Sequence, residues 1–309
     1  MSSLAFIANS DSGRHDTGWG HPEQVGRLRA ITRALREDFH LFGELDHRES
    51  RHATEQELAL AHDPSYIAMV RDLARSGGGR LDADTVESEG SWDAGTAGAG
   101  AVLDAIDLAF GDGPRRSFCA VRPPGHHALR GAGMGFCLFG NVAIGAQYAR
   151  QRHGAERVLI VDWDVHHGNG TQALVQDTPD VRFVSMHQWP WYPGTGAADD
   201  RGPHRSVWNV PLAAGLPRER YVSEFLGAVD AAAQGFTPDL VIISAGFDSL
   251  AGDPLGGFTL ELDDMERLTR EMVSRADQWC GGRLVSSLEG GYAPERLGAA
   301  CVRHMRSLL

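Results

Sequence analysis

Apolar positions along the chain follow two different spacings. Seven short runs are rich in Val, Ile, Leu and Phe, as is typical of strands buried on both faces of a sheet. These runs are Leu4–Ala8, Ser117–Val121, Val158–Val161, Val181–Ser185, Val207–Val210, Leu240–Ser244 and Leu284–Ser287. Most of them are separated by segments in which apolar residues recur at helical spacing. These segments are Gln24–Asp38, Ser91–Phe110, Leu138–Arg152, Arg218–Gln234, Leu260–Gln278 and Pro294–Leu309.

This alternation of strands and helices indicates the fold class. Buried strands joined by helices form a parallel sheet that the helices cover on both faces. The sequence therefore predicts a three-layer α/β fold with a single, mostly parallel sheet. The 309 residues contain no internal repeat, low-complexity tract or linker, so we expect one domain over residues 1–309.

Polar side chains follow five of the predicted strands at the point where each strand ends. They are Asp162 with Asp164, the pair His126-His127, His187, Asp248 and Tyr292. The carboxyl ends of parallel strands lie along one edge of a sheet, and active sites of open α/β sheets lie outside that edge. We therefore expect these side chains to line one site.

Three of the polar residues can form a metal site. Asp164 and His166 are two positions apart, so in an extended segment their side chains point to the same side. Asp248 follows a different strand and can complete the site. Two carboxylates and one imidazole leave a position open for water or substrate, as catalytic divalent sites do. This ligand set favours Zn²⁺, with Fe²⁺ or Mn²⁺ as alternatives.

Two more motifs carry groups that can move or hold a proton. In RPPGHHA, the adjacent His126 and His127 follow a turn that the two prolines restrict. Imidazoles beside a metal site are suited to general base and general acid catalysis near neutral pH. In EGGY, Tyr292 follows two glycines and can donate a hydrogen bond to a developing oxyanion.

Charge and composition narrow the partners. The chain has 29 basic and 41 acidic residues, a net charge of −12, and no basic run that would suit a nucleic acid. No apolar run reaches the length of about 18 residues that a membrane span needs. The N-terminal residues lack the pattern of a signal peptide, and the four cysteines form no C-x-x-C pair. We therefore expect a cytoplasmic protein that binds neither nucleic acid nor membrane; nothing indicates its oligomeric state.

Seven motifs, taken in their order, resemble those of the histone deacetylase family. They are GHPEQVGRLRAI, RPPGHHA, GFCLFGNVAI, VDWDVHHGNGTQ, YPGTG, SAGFDSLAGDPLGGF and EGGY. The similarity runs from Gly20 to Leu297 and is closest to the class II and bacterial histone-deacetylase-like amidohydrolases. It implies the arginase–deacetylase fold, with about eight strands, and a zinc-dependent hydrolase that removes an acyl group from lysine or a small amine.

The resemblance also implies roles for individual residues. Zinc would be bound by Asp164, His166 and Asp248. His127 would act as the main general base, His126 as its electrostatic partner, and Tyr292 would polarise the scissile carbonyl. Asp162 would orient His126, and Asn169 would lie behind His127. A structural K⁺ would be held by oxygens of Asp162, Asp164, His166, Ser185 and Met186.

The substrate tunnel follows from the same resemblance. Its walls would be Phe136 and Tyr192, with Gly135 and Leu255 at the sides. Arg27 matches a position that lines an internal acetate pocket. An acidic residue that holds the substrate at the rim is expected within Asp82–Thr85. Val25 stands where the family usually has proline, so the first loop is expected to differ.

Three alternative functions stay open. The first is an acetylpolyamine amidohydrolase, although Leu255 stands where polyamine-selective relatives tend to carry an acid. The second is a dinuclear manganese ureohydrolase, which would need further carboxylates near the histidine pair. The third is a non-catalytic module that binds acyl-lysine. The physiological substrate and the acyl chain are not specified by the sequence.

Overall fold

The strands form one parallel sheet, as the hydrophobic pattern predicts. The computed structural model describes residues 3–309. The eight strands of the main sheet are β1 (Leu4–Ala8), β2 (Asp46–Glu49), β5 (Arg116–Cys119), β6 (Val158–Asp162), β7 (Val181–Gln188), β8 (Val207–Leu212), β9 (Leu240–Ala245) and β10 (Leu284–Leu288). Their order across the sheet is β2-β1-β5-β10-β9-β6-β7-β8, and every neighbouring pair is parallel. The short strands β3 (Gly78–Arg80) and β4 (Val86–Ser88) form a separate antiparallel hairpin.

Helices cover both faces of the sheet. They are α1 (Gly26–Glu37), α2 (Phe39–Glu44), α3 (Glu55–Leu58), α4 (Pro64–Arg75), α5 (Ser91–Phe110), α6 (Asn141–His153), α7 (Asn169–Val175), α8 (Arg218–Ala233), α9 (Leu262–Cys280) and α10 (Pro294–Leu308). The predicted three-layer α/β class is confirmed. None of the helices within residues 3–309 combines the length and apolarity needed to cross a bilayer.

Two hydrophobic cores lie on opposite faces of the sheet. In β6, Leu159 and Val161 belong to the core that α1, α8, α9 and α10 cover. Val158 and Ile160 belong to the core that α4, α5, α6 and α7 cover. Because successive side chains of a strand point to opposite faces, both sets must be apolar, and this explains the continuous apolar run in the sequence.

Several elements were not expected from the sequence. Strand β2 has the sequence DHRE and lies at the sheet edge, where its side chains are mostly exposed. It therefore carries no apolar run. The hairpin β3–β4 and the helices α2, α3, α4 and α7 were also missed. The predicted start of α6 at Leu138 was wrong, because Gly140 has a non-helical backbone and the helix begins at Asn141.

The strand order explains the position of the site. Strands β5, β10, β9 and β6 are consecutive in the sheet. The segments that follow them carry His126, Tyr292, Asp248 and Asp164 respectively. Residues far apart in sequence therefore meet beyond one edge of the sheet.

Candidate active site

Three potential metal ligands converge beyond β6 and β9. A ligand atom from each of Asp164, His166 and Asp248 lies within 4.8 Å of the other two. His166 Nδ1 is 3.0 Å from Asp164 Oδ1 and 3.3 Å from Asp248 Oδ2. All three residues are buried. The structure thus brings together the three residues that the sequence selected.

The donor set fits a divalent cation. Asp248 Oδ1 accepts a hydrogen bond from the Val165 amide, but Asp248 Oδ2 is buried without a hydrogen-bond partner. Burial and the charge of Asp164 raise the pKa of Asp248 to about 7. Two buried carboxylates that face one imidazole are costly unless a positive charge compensates them. A bound metal would supply that charge, and Asp248 Oδ2 could ligate it.

Glycines allow this close approach. A Cβ at Gly290 would collide with Oδ2 of both Asp248 and Asp164, and a Cβ at Gly246 would collide with the Asp164 side chain. With no side chain there, the Gly290 amide donates to Asp164 Oδ2 at 2.8 Å. The glycines of SAGFD and EGGY therefore leave room for the carboxylates.

The tandem histidines lie beside this cluster. His126 Nδ1 is 2.9 Å from Asp162 Oδ2, and His127 Nδ1 is 2.6 Å from Asn169 Oδ1. Both contacts join the pairs that the family resemblance implied. Since Asn169 Oδ1 can only accept, His127 carries its proton on Nδ1, and Nε2 keeps a free lone pair. The ring of His127 is thus arranged to accept a proton at Nε2.

The two imidazoles differ in their electrostatic environment. Burial lowers the pKa of His126, but the charges of Asp164 and Asp162 outweigh it and hold that pKa well above its usual value. Burial and the charges of His126 and His166 hold the pKa of His127 well below its usual value. Neighbouring groups with divergent pKa values are typical of an acid and base pair.

Tyr292 is held in place through both its backbone and its ring. Its amide donates to Asp253 Oδ2 at 2.6 Å, and its ring packs edge-on against Phe136. The guanidinium of Arg27 lies 4.9 Å from the centre of the Tyr292 ring. Arg27 also donates to the carbonyls of Glu289 and Gly291 and to Glu23. Buried Arg27 therefore fixes the loop that carries Tyr292.

A narrow pocket of about 230 Å³ leads to these groups. Its lining comprises Asp84, His127, Gly135, Phe136, His166, Trp191, Tyr192, Leu255 and Tyr292. All four residues expected in the tunnel are among them. Gly135 has a positive φ of 55°, and a Cβ there would collide with the His127 ring. Glycine at this position keeps the tandem histidine accessible from the pocket.

The hairpin loop between β3 and β4 forms part of the pocket mouth. Asp84 Oδ1 accepts the Gly135 amide at 3.1 Å, and Thr85 Oγ1 accepts the Phe136 amide at 3.1 Å. Within Asp82–Thr85, Asp84 is the residue that lines the pocket. Burial and Asp82 raise the pKa of Asp84 above its usual value.

The remaining predicted residues lie behind the pocket. Asp162 and Ser185 are paired in register across β6 and β7, which places two of the expected K⁺ ligands side by side. K⁺ binding by these residues, with Met186, stays a prediction. His187 does not line the pocket; its ring packs 4.7 Å from His167, and Nε2 donates to the Gly196 carbonyl. His187 therefore binds the loop that follows Tyr192 in the chain.

Sequence reasoning missed three residues of this site, Trp191, Asp253 and Glu289, and it did not single out a fourth, Asp84, within the expected range. Trp191 lines the pocket and donates to the Leu255 carbonyl at 2.9 Å, and Asp253 binds the Tyr292 amide. Asp84 was not separated from its neighbours, and Glu289 was given no role. The sequence did offer a signal for two of them, since Asp253 lies in the motif segment GDPLGG and Glu289 lies in EGGY.

Comparison with known proteins agrees with this geometry. The family model described as "Histone deacetylase domain" matches residues 21–308. The histone deacetylase-like amidohydrolase of Pseudomonas aeruginosa is 36% identical, over 89% of this chain and 73% of its own length. The human polyamine deacetylase HDAC10 is 36% identical, over 94% of this chain and 46% of its own length. The crystal structure of the HDA15 HD domain superimposes with a TM-score of 0.93 and 36% identity, covering 100% of this chain and 90% of the other.

Proposed function

The chain belongs to the histone deacetylase family, and from this we propose that it is a zinc-dependent amidohydrolase. Its substrate would be an acylated amine, and it would remove an acetyl or other short acyl group from the ε-amine of lysine or from a lysine-like amine. One observation carries the proposal: His166 of the buried Asp164–His166–Asp248 cluster and His127 of the tandem pair line the same aromatic-walled pocket.

The proposed metal site consists of Asp164, His166 and Asp248. Zn²⁺ bound there would act as a Lewis acid on the scissile carbonyl and lower the pKa of a water molecule toward about 7. Within residues 3–309, these residues are the one group of three or more His, Cys, Asp or Glu whose ligand atoms converge in this way. This favours a mononuclear site over the dinuclear ureohydrolase.

His127 would transfer the protons of the reaction. Its Nε2 is free to accept a proton from the attacking water, since Nδ1 is bound to Asn169. The same proton would then pass to the leaving amine as the C–N bond breaks, giving a carboxylic acid and a free amine. His126, bound to Asp162, would stabilise the developing charges.

Tyr292 and the pocket walls would orient the substrate. The Tyr292 hydroxyl would donate a hydrogen bond to the oxyanion of the tetrahedral intermediate. Phe136 and Tyr192 would contact the aliphatic linker of the acylated amine. A K⁺ ion near Asp162 and Ser185 and a cytoplasmic location are further predictions from the family resemblance and the sequence.

Removal of the metal tests the proposed function. We expect purified protein to hydrolyse a fluorogenic acetyl-lysine peptide, a chelator to abolish turnover, and Zn²⁺ to restore it. A hydroxamate should inhibit because it ligates the metal in the pocket. Absence of turnover with acetyl-lysine and acetylpolyamine substrates, despite one bound zinc, would contradict the enzyme and favour a non-catalytic module.

A second candidate, a polyamine deacetylase, is supported by a carboxylate at the mouth. Leu255 lines the pocket where an acid would meet a second ammonium, but Asp84 lines the same pocket. Asp84 could attract a cationic substrate, because a carboxylate and an ammonium several ångströms apart gain about 1 kcal/mol or more near a protein surface.

Asp84→Asn tests whether the charge of Asp84 contributes to recognition of a cationic substrate. Asparagine keeps an oxygen for the Gly135 amide but removes the charge. If polyamines are substrates, we expect kcat/KM for N-acetylspermidine to fall about 3- to 10-fold, and to change less for a neutral, capped acetyl-lysine peptide. High salt should weaken the wild-type preference by screening. Equal changes for both substrates would contradict charge recognition by Asp84.

A further inference from the structure

Glu289 is a fully buried acid at the site that the proposed mechanism does not use. Its Oε2 accepts hydrogen bonds from the Gly125 amide at 2.7 Å and from the His126 amide at 3.1 Å. Its Oε1 accepts from the Ser244 hydroxyl at 3.3 Å. Both carboxylate oxygens are therefore occupied by donors from two neighbouring segments.

The two amides belong to the turn that carries the tandem histidines. Residues 121–128 form no helix or strand, and the Gly125 and His126 amides have no backbone hydrogen-bond partner in the described part of the chain. The turn is buried, and an unpaired amide there would cost about 1–3 kcal/mol. On its other side, the His126 carbonyl accepts the Thr171 amide at 3.0 Å. The backbone of His126 is thus fixed at its amide by Glu289 and at its carbonyl by Thr171.

The backbone of the same residue belongs to the loop that carries Tyr292. The Glu289 amide donates to the Ala245 carbonyl at 3.1 Å, which fixes the residue at the end of β10. The Glu289 carbonyl accepts from Arg27, whose guanidinium packs against the Tyr292 ring. One residue therefore connects the two segments that supply the proton-transfer and oxyanion groups.

We propose that Glu289 is a positioning residue, whose carboxylate fixes the His126-His127 turn relative to Tyr292. The inference rests on the proposed function for its effect on catalysis. The Glu289 carboxylate is hydrogen-bonded to the Gly125 and His126 amides and to Ser244, so it acts through the turn that carries the histidines. Groups that orient catalytic residues in this way typically contribute about 10- to 100-fold to activity.

The reach of the side chain is the decisive property, because one oxygen must accept two amides. Glu289→Gln keeps the side-chain length and one carbonyl oxygen for both amides, and its amino group can donate to Ser244 Oγ. Glu289→Asp keeps the charge but is shorter by one methylene, so its carboxylate falls short of the turn. The pair therefore separates geometry from charge, and neither change leaves a large cavity.

We expect Glu289→Asp to lower kcat about 10- to 100-fold with KM changed less than about 3-fold. Glu289→Gln should retain at least about a third of the wild-type kcat. Ser244→Ala, which removes the contact of Oε1 only, should also stay near wild type. Loss of activity in the Gln variant with retention in the Asp variant would overturn the proposal and indicate a charge effect. Normal kcat in both variants would also overturn the proposal, because the carboxylate would then have no role in catalysis.

Hydrogen exchange supplies a readout that does not depend on activity. Amide exchange of residues 122–128, measured by mass spectrometry on the zinc-loaded protein, should be faster in Glu289→Asp than in wild type and unchanged in Glu289→Gln. Unchanged exchange in the Asp variant would overturn the proposal. If wild type hydrolyses no acylated amine, the proposed function fails, yet the exchange comparison still decides the role of Glu289.

Discussion

Replacing Tyr292 with phenylalanine is expected to lower kcat for an acetyl-lysine substrate by about 10²- to 10³-fold while the metal stays bound. Removal of one preorganised oxyanion donor typically has an effect of this size, about 2.7–4 kcal/mol of transition-state stabilisation. Burial holds the pKa of Tyr292 well above its usual value, so the hydroxyl keeps its proton and remains a donor. Steady-state kinetics with metal analysis of the same preparation measures both quantities.

The expected loss lies in kcat more than in KM. The hydroxyl bond strengthens as negative charge develops on the carbonyl oxygen, so the interaction is made mainly in the transition state. The ring remains in Tyr292→Phe and can still pack against Phe136 and Arg27. A large rise in KM at constant kcat would instead assign Tyr292 to substrate binding.

Tyr148→Phe provides the matched control. Tyr148 lies on α6, is not part of the pocket lining, and donates its hydroxyl hydrogen bond to Asp107. Its loss should lower the free energy of unfolding by about 1 kcal/mol and leave kcat unchanged. If kcat of Tyr292→Phe is as close to wild type as kcat of Tyr148→Phe, the Tyr292 hydroxyl does not stabilise the oxyanion.

The main elements of the fold and the residues of the candidate metal cluster could be predicted from the sequence, because both depend on local patterns. A strand buried on two faces must be apolar, as in Val158–Val161, and a parallel sheet brings strand ends together. Asp164, His166 and Asp248 follow such strands, so the same rule predicts that they meet. The edge strand β2 was missed because only one neighbour and little core constrain its side chains.

Contacts between distant segments could not be predicted in the same way. Asp84 reaches the pocket because the Gly-rich hairpin folds against Gly135 and Phe136, about fifty residues further along the chain. Glu289 meets Gly125 and His126 across more than 160 residues. The periodicity of the sequence does not encode such pairs. An acid inside a motif can therefore be recognised as a candidate functional residue, but the sequence does not show which residue it contacts.

Replacing Asp248 with asparagine is expected to abolish both metal binding and turnover. Asparagine can keep the bond from the Val165 amide through its oxygen, but it places an amino group at the position of Asp248 Oδ2, which faces His166. An amino group donates hydrogen bonds and cannot replace a carboxylate ligand. Changing a residue that only orients a metal ligand typically lowers metal affinity about 10- to 100-fold. We expect a larger loss of zinc affinity here, because the ligand itself is removed.

Thermal unfolding with and without zinc distinguishes a lost ligand from a damaged fold. Zinc at about 1,000 times its Kd should stabilise the wild type by about 4 kcal/mol and leave Asp248→Asn unaffected. Without metal, the variant should stay close to wild type in stability, because asparagine keeps the bond from the Val165 amide and removes a carboxylate that is buried beside Asp164. Asp239→Asn, at the opposite end of β9 and bound to the amides of Glu156 and Arg157, should bind zinc and turn over normally. If zinc stabilises Asp248→Asn as much as wild type, Asp248 is not a ligand, because zinc would then bind equally well without its carboxylate.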